Sequence, residues 1–280
     1  MVASFPQRPT GTEIAKRAWD STLSGIRAMP ALFLAAFFVA ILLSLALTYM
    51  RLDRLANFGL LAAPRDLVIA VASILAWSAL TAPVAVAIHR FVLLDQTTGS
   101  ILSYAPRHTK LFFVWAAALQ LVFDAVQGVG RLLSWHQFSL MRIAAFIIVA
   151  VVSVHLAMIF PAVAIEDGED DWRTRMAKSW NQMQGNAWLF IRAGIVTFLP
   201  VFIVWVVVFI VMSLFGMMAR GIVGPVANFS MMSRLWLSAA IAVVTVLSIA
   251  LGAALASWTY AWTHMNGQAQ SAQTATSTVT

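Results

Sequence analysis

The chain has 280 residues, of which 61% are hydrophobic and only 10% charged, and its formal net charge is +7. A water-soluble domain carries about 25% charged residues, and no core of this size could hide so much apolar surface from water. That composition excludes an ordinary soluble globular protein, and the lack of any cysteine excludes disulfides, thiolate metal sites and cysteine nucleophiles.

Residues 1–11 are polar, contain Pro6, Pro9 and Gly11, and read as a disordered start. From residue 12 to 28 the pattern changes. Ile14, Ala18 and Ile26, with Trp19 and Leu23 less strictly, gather on one side at helical spacing, flanked by Lys16, Arg17 and Arg27. This predicts a helix lying in the membrane surface, with Thr12 as its N-cap. Six apolar runs follow, at about residues 30–49, 67–88, 111–129, 143–165, 188–215 and 235–262. Each meets the roughly 20 residues needed to cross about 30 Å of hydrocarbon. The first outlasts the roughly 7–15 apolar residues of a signal peptide and reads as a span. Pro83, Pro161 and Pro200 fall inside the second, fourth and fifth runs. At 1.5 Å per residue the fifth run is about 40 Å long and must tilt, kink or protrude.

A second surface helix is expected over residues 169–186. Trp172, Met176, Trp180, Met183 and Ala187 form its apolar stripe, and acids from Glu166 to Asp171 crowd its start. Residues 265–280 carry no charge and are expected to be a disordered tail. Unbroken apolar runs exclude the alternating pattern of a barrel strand, and lipid leaves only internally paired helices. The fold class is therefore all-α: a polytopic transmembrane bundle of six helices with two amphipathic interfacial helices, forming one membrane domain over residues 12–264. Small residues at four-residue spacing (Ala36, Ala40, Ser44; Ser248, Gly252, Ala256) predict close helix contacts.

The 18 Lys and Arg residues sit almost entirely between the apolar runs and act as topology signals, not as a nucleic-acid surface. With the N-terminus in the cytoplasm, eleven of them fall on the inner side and seven on the outer. That bias puts both termini in the cytoplasm.

Three stretches carry a resemblance: Ala85 to Asp95 (AVAIHRFVLLD), Phe160 to Gly168 (FPAVAIEDG) and Ala177 to Ile191 (AKSWNQMQGNAWLFI). Together they resemble uncharacterised bacterial six-helix inner-membrane proteins, which are similar to the membrane domain of glycerophosphoryl diester phosphodiesterases. The resemblance spans Thr12 to Thr263 and implies architecture and a bacterial inner membrane. In the fused enzymes the chemistry belongs to a separate soluble barrel that this sequence does not contain, so no reaction is carried over.

Polar groups inside a membrane are the default functional candidates, because each is costly unless paired or wet. Gln120, Asp124, Gln127 and Arg131 form a polar stripe on the third run, and His155 lies in the fourth. They are the candidates for a polar cavity; the plainer reading is a buried polar seam, with Asp124 near the outer surface and paired to Arg131 or to a neighbouring helix. Helix rise places Asp124 and His155 about 10 Å apart in depth, too far for a direct bond. His89, Arg90, Arg107 and Lys110 cluster at the inner ends of the second and third runs and are candidates for anionic head-group contacts. No Walker loop, dinucleotide fingerprint, nucleophile elbow or HExxH motif occurs, and no two histidines share a metal-ligand spacing. No cofactor or metal is expected. The expected function is non-enzymatic, as a membrane scaffold or lipid organiser whose partner is the bilayer. The alternative is a small transporter or lipid-handling carrier with a polar cavity lined by Gln120, Asp124 and His155.

Overall fold

The computed structural model describes residues 9–49, 64–98, 106–133, 139–165, 171–222 and 227–277. Among them the regular elements are helices, with no strand. In chain order these are α1 (Gly11–Ala28), α2 (Pro30–Tyr49), α3 (Pro64–Leu94), α4 (Pro106–Leu133), α5 (Ser139–Leu156), α6 (Ile159–Ile165), α7 (Trp172–Met183), α8 (Ala187–Ile222) and α9 (Ala227–Ser277). Five stretches are long and apolar enough to cross a membrane: Val68–Leu94, Arg107–Val126, Phe146–Ile165, Ala187–Val208 and Leu235–His264. The α1–α2 pair, bent by 96°, makes a sixth if counted as one span.

Proline sets several boundaries. Pro30, Pro64 and Pro106 each open a helix, where a missing N–H costs nothing and the fixed φ suits the first turn. Pro161 acts inside a helix. It has no N–H for the Ala157 carbonyl and its ring crowds that turn. The run expected to be one span over residues 143–165 is accordingly split at Ala157 and Met158 into α5 and the short α6.

The core is organised around α9, which packs against α1, α2, α3, α6 and α8. Ser238, Ala242, Val246, Ala250 and Ala254 recur every fourth residue and are all buried. Small side chains in that row let neighbouring backbones come close, and dispersion between closely fitted helices replaces the hydrophobic drive that lipid does not supply. In the expected row, Ala256 is buried and Ser248 and Gly252 are half-buried, with Gly252 against Phe198 of α8. On α2 the buried row is Leu32, Ala36, Ala40 and Ser44, which includes the expected stripe.

α1 packs across three helices, α3, α8 and α9. Its Trp19 indole donates to the Thr197 carbonyl of α8 at 3.1 Å, and the Trp258 indole of α9 donates to Ser21 Oγ at 2.9 Å. At Gly25 a Cβ would stand 2.8 Å from the Ile88 side chain of α3, so glycine permits the approach. The buried face is Ile14, Ala15, Ala18, Thr22 and Gly25. Leu23, expected inside, is exposed. The N-cap is Thr10, not Thr12: Thr10 Oγ1 accepts from Glu13 N, and the Glu13 carboxylate accepts from Thr10 N at 2.7 Å. Glu13 lies at the third helical position from that cap, which completes a capping box that Thr12 could not form.

α7 spans Trp172–Met183 and buries Arg175, Ser179 and Met183 against the bundle, while Trp172 and Trp180 of the expected apolar stripe are 56% and 42% exposed. Gly185, at φ +80°, makes the left-handed turn into α8. The tail is helical through Ser277, against the disordered segment expected from residue 265. Its Gln and Ala residues favour helix, no proline interrupts it, and extending an existing helix avoids the cost of nucleation. Residues 1–8 of the expected disordered start and the acids at 166–170 lie outside the described residues.

The capping box carries a pH signature. The backbone N–H of Thr10 and then its hydroxyl hold the Glu13 carboxyl below its ordinary value. A depressed carboxyl contributes stability above its unfolded value and loses it as pH falls through the lower folded value. The first-turn amides of α1, corrected for intrinsic exchange, are expected to lose hydrogen-exchange protection as pH drops through and below the usual carboxylate range. Glu13→Gln is expected to flatten that dependence.

Candidate functional site

The polar stripe on α4 faces a matching set on α3. Ser73, Ile74, Trp77, Ser78 and Thr81 recur at four-residue spacing along one side of α3, and Ala116, Gln120 and Asp124 do the same on α4. These eight residues line a cleft of about 360 Å³ between the two helices. Ser78 and Ile74 are buried at its floor, and Gln120 is exposed at its rim. Gln120 Nε2 donates to Asp124 Oδ2 at 3.3 Å, and the Thr81 hydroxyl donates to the Trp77 carbonyl at 2.8 Å. Polar contacts of this kind satisfy part of the lining. Asp124 Oδ1 has no further hydrogen bond among the described residues.

Of the four residues expected at a polar cavity, Gln120 and Asp124 line the cleft. The side chains of Gln127 and Arg131 lie outside the described residues. His155 is elsewhere. Its Nδ1 bonds the Val151 carbonyl at 2.8 Å, and its ring stacks on Trp180 with centroids 4.3 Å apart. The α3 wall is absent from the sequence expectation. Its signal was available in Ser73, Trp77, Ser78 and Thr81, which share one helix face in a run otherwise built from aliphatic residues.

The four residues expected at lipid head groups divide in two. Arg107 and Lys110 are exposed near the start of α4. His89 is 1% exposed and enclosed by the bundle, which removes it from any head-group surface. Its Nδ1 lies 2.7 Å from Ser257 Oγ, and Ser257 Oγ donates to the Ala253 carbonyl at 2.9 Å. The pair locks α3 to α9. Arg90 turns inward: Nη1 donates to the Ala164 carbonyl at 2.9 Å and Nε to Gln96 Oε1 at 3.0 Å.

Arg90 belongs to a group of side chains serving the broken helix. The last carbonyls of α6 have no partners within it. Arg90 takes that of Ala164, and buried His108 bonds that of Val163 at 2.9 Å. At the other side of the break, the Ser179 hydroxyl of α7 donates to the His155 carbonyl at 2.7 Å. Phe112 and Phe160, with ring centroids 4.8 Å apart, fill the space between. Side chains at residues 90, 108 and 179 thus converge on the broken helix.

Arginine and tryptophan pair at three places: Arg17 over Trp258 at 5.0 Å, Arg173 over Trp172 at 5.1 Å and Arg192 over Trp188 at 5.2 Å. Among the described residues no group of three or more His, Asp or Glu could hold a metal ion. No protein-family model, no curated protein and no solved structure matches the chain.

The caps on α6 can be tested singly. His108→Leu keeps most of the side-chain volume but leaves the Val163 carbonyl without its donor. The expected cost is about 1 kcal/mol, read as a lower thermal unfolding midpoint in detergent. Arg107→Ala, at the exposed neighbouring position, is expected to leave the midpoint unchanged.

Proposed function

We propose that the chain is a bacterial inner-membrane protein of six spans, non-enzymatic, and that its α3–α4 cleft receives a polar group at mid-membrane depth. The six are α2, α3, α4, α5 with α6, α8 and α9, with both termini in the cytoplasm and α1 and α7 in the inner interface. This is the carrier reading, a small transporter or lipid-handling protein.

The depth of the cleft carries the reading. α1 crosses α3 at Ile88, and an interfacial α1 makes that the inner boundary. Thr81 then lies about 10 Å and Ser73 about 22 Å deeper along the helix, in a layer about 30 Å thick. Trp258 and exposed Trp236 on α9 stand about 33 Å apart by the same rise, the separation of two aromatic belts. Asp124 lies toward the outer end of the cleft, about 21 Å from Lys110 by the same rise, and an ionisable side chain inside the layer is costly unless it is paired or wet.

A second reading, organisation of lipid without a bound ligand, is supported by the three Arg–Trp pairs and by exposed Lys16, Arg27, Arg107, Lys110 and Lys178. Their cations would hold anionic head groups while the indoles sit at the same level.

Ala116→Phe fills the cleft from its wall. Native mass spectrometry of the intact protein is expected to find a small molecule or lipid retained by the wild type and lost from this variant. The same adducts on both would favour the lipid-organising reading. For topology, a cytoplasm-dependent reporter fused after Thr280 is expected to be active, and one that works only outside the cytoplasm is expected to be silent.

A further inference from the structure

Resting on that reading of the cleft, we infer that the group it accepts is an ammonium cation. The polar lining is rich in acceptors. Asp124 brings a carboxyl, Gln120 an amide oxygen, and Ser73, Ser78 and Thr81 three hydroxyl oxygens. Two of the available donors are already committed, Gln120 to Asp124 and Thr81 to the Trp77 carbonyl. Among the described residues no Lys, Arg or His lines the cleft. An anion would meet the Asp124 carboxylate with no countercharge among those lining residues. A neutral alcohol would leave that charge uncompensated in an apolar layer. A cation answers it directly.

Trp77 lines the same cleft, and an indole is the best aromatic partner for a cation, particularly one with a diffuse, weakly hydrated ammonium. The volume also fits. At about 30 Å³ for each water, a cleft of about 360 Å³ admits a group the size of a tetramethylammonium or ethanolamine ion. Because the cleft lies at mid-depth and opens past Gln120, the ammonium could be carried by a lipid head group or by a free organic amine.

The test uses the full chain in nanodiscs. In one arm the discs contain only phosphatidylglycerol, and tetramethylammonium is titrated calorimetrically, with tert-butyl alcohol and acetate as neutral and anionic probes. In the other arm the discs contain phosphatidylethanolamine and phosphatidylglycerol, and native mass spectrometry counts which lipid is retained. Saturable binding is expected for tetramethylammonium alone among the soluble probes, for phosphatidylethanolamine over phosphatidylglycerol, or for both. The first result points to a free amine and the second to a head group. Asp124→Asn is expected to weaken binding more than about tenfold, Asp124→Glu to restore it, and Trp77→Leu to weaken it independently. Selectivity among the probes is read on the wild type, so it stands even if a variant fails to accumulate. Retention of phosphatidylglycerol or acetate that survives or strengthens in Asp124→Asn would overturn the ammonium assignment and leave the cleft reading intact. No retained species in either arm, with Ala116→Phe indistinguishable from wild type, would sink both.

Discussion

A backbone carbonyl released inside an apolar surround must find a donor, and much of this architecture answers that demand. Water is not there to satisfy it, and each orphan costs several kcal/mol. Pro200 removes the N–H that the Val196 carbonyl would use, and the Trp19 indole enters the same turn to donate to Thr197. Pro161 breaks α5 from α6, and Ser179, His108 and Arg90 converge on carbonyls around the break. The donors come from α1, α7, α4 and α3. Each interruption thereby ties remote parts of the chain together, and the polar side chains act as tertiary fasteners.

Close packing around α9 supplies the rigid frame on which those fasteners work. Its row from Ser238 to Ala254 admits α2 and α3 at short range. The His89–Ser257 pair fixes how α3 is rotated against α9. Once that rotation is set, Ile74, Ser78, Ala82 and Ala85 turn into the bundle. Ser73, Trp77 and Thr81 then fall toward α4 and form the cleft wall. The orientation of the site is thus a consequence of packing one turn away, not of any contact within the site.

The legible parts of this fold are those written in one segment alone. Run lengths mark the apolar helices, and Pro30 marks the start of α2. The stripe through Ile14 and Ala18 identifies the inner face of α1. What was not legible depends on a partner. The cap is an exception: Thr10 with Glu13 three residues on was a legible capping-box spacing that the choice of Thr12 passed over. On α7 the apolar stripe marks Trp172 and Trp180 but does not single out Ser179, which faces in and donates to the His155 carbonyl. In lipid an outward tryptophan carries little penalty, so hydrophobicity ceases to say which face is inside. On α4, Gln120 and Asp124 announced themselves as amide and acid. Ser73, Ser78 and Thr81 did not, since such hydroxyls commonly bond their own helix, as Thr197, Ser257 and Thr259 do here.

Counting hydrogen-bond capacity separates structural polar groups from functional ones. Thr197, Ser257 and Thr259 are buried, and each donates its proton to a carbonyl four residues back. His89 pairs its Nδ1 with Ser257 and is enclosed by the bundle. Such groups are consumed by the fold, and burial costs them little because their partners come with the helix. Asp124 differs in kind. Its one hydrogen bond among the described residues comes from Gln120, a side chain on its own helix, so no other helix relies on it for docking. It sits beside open volume, where packing would have been served as well by leucine. Among the described residues this carboxyl joins no two helices, and a group entering the cleft, as proposed above, would supply the partner that the packing does not.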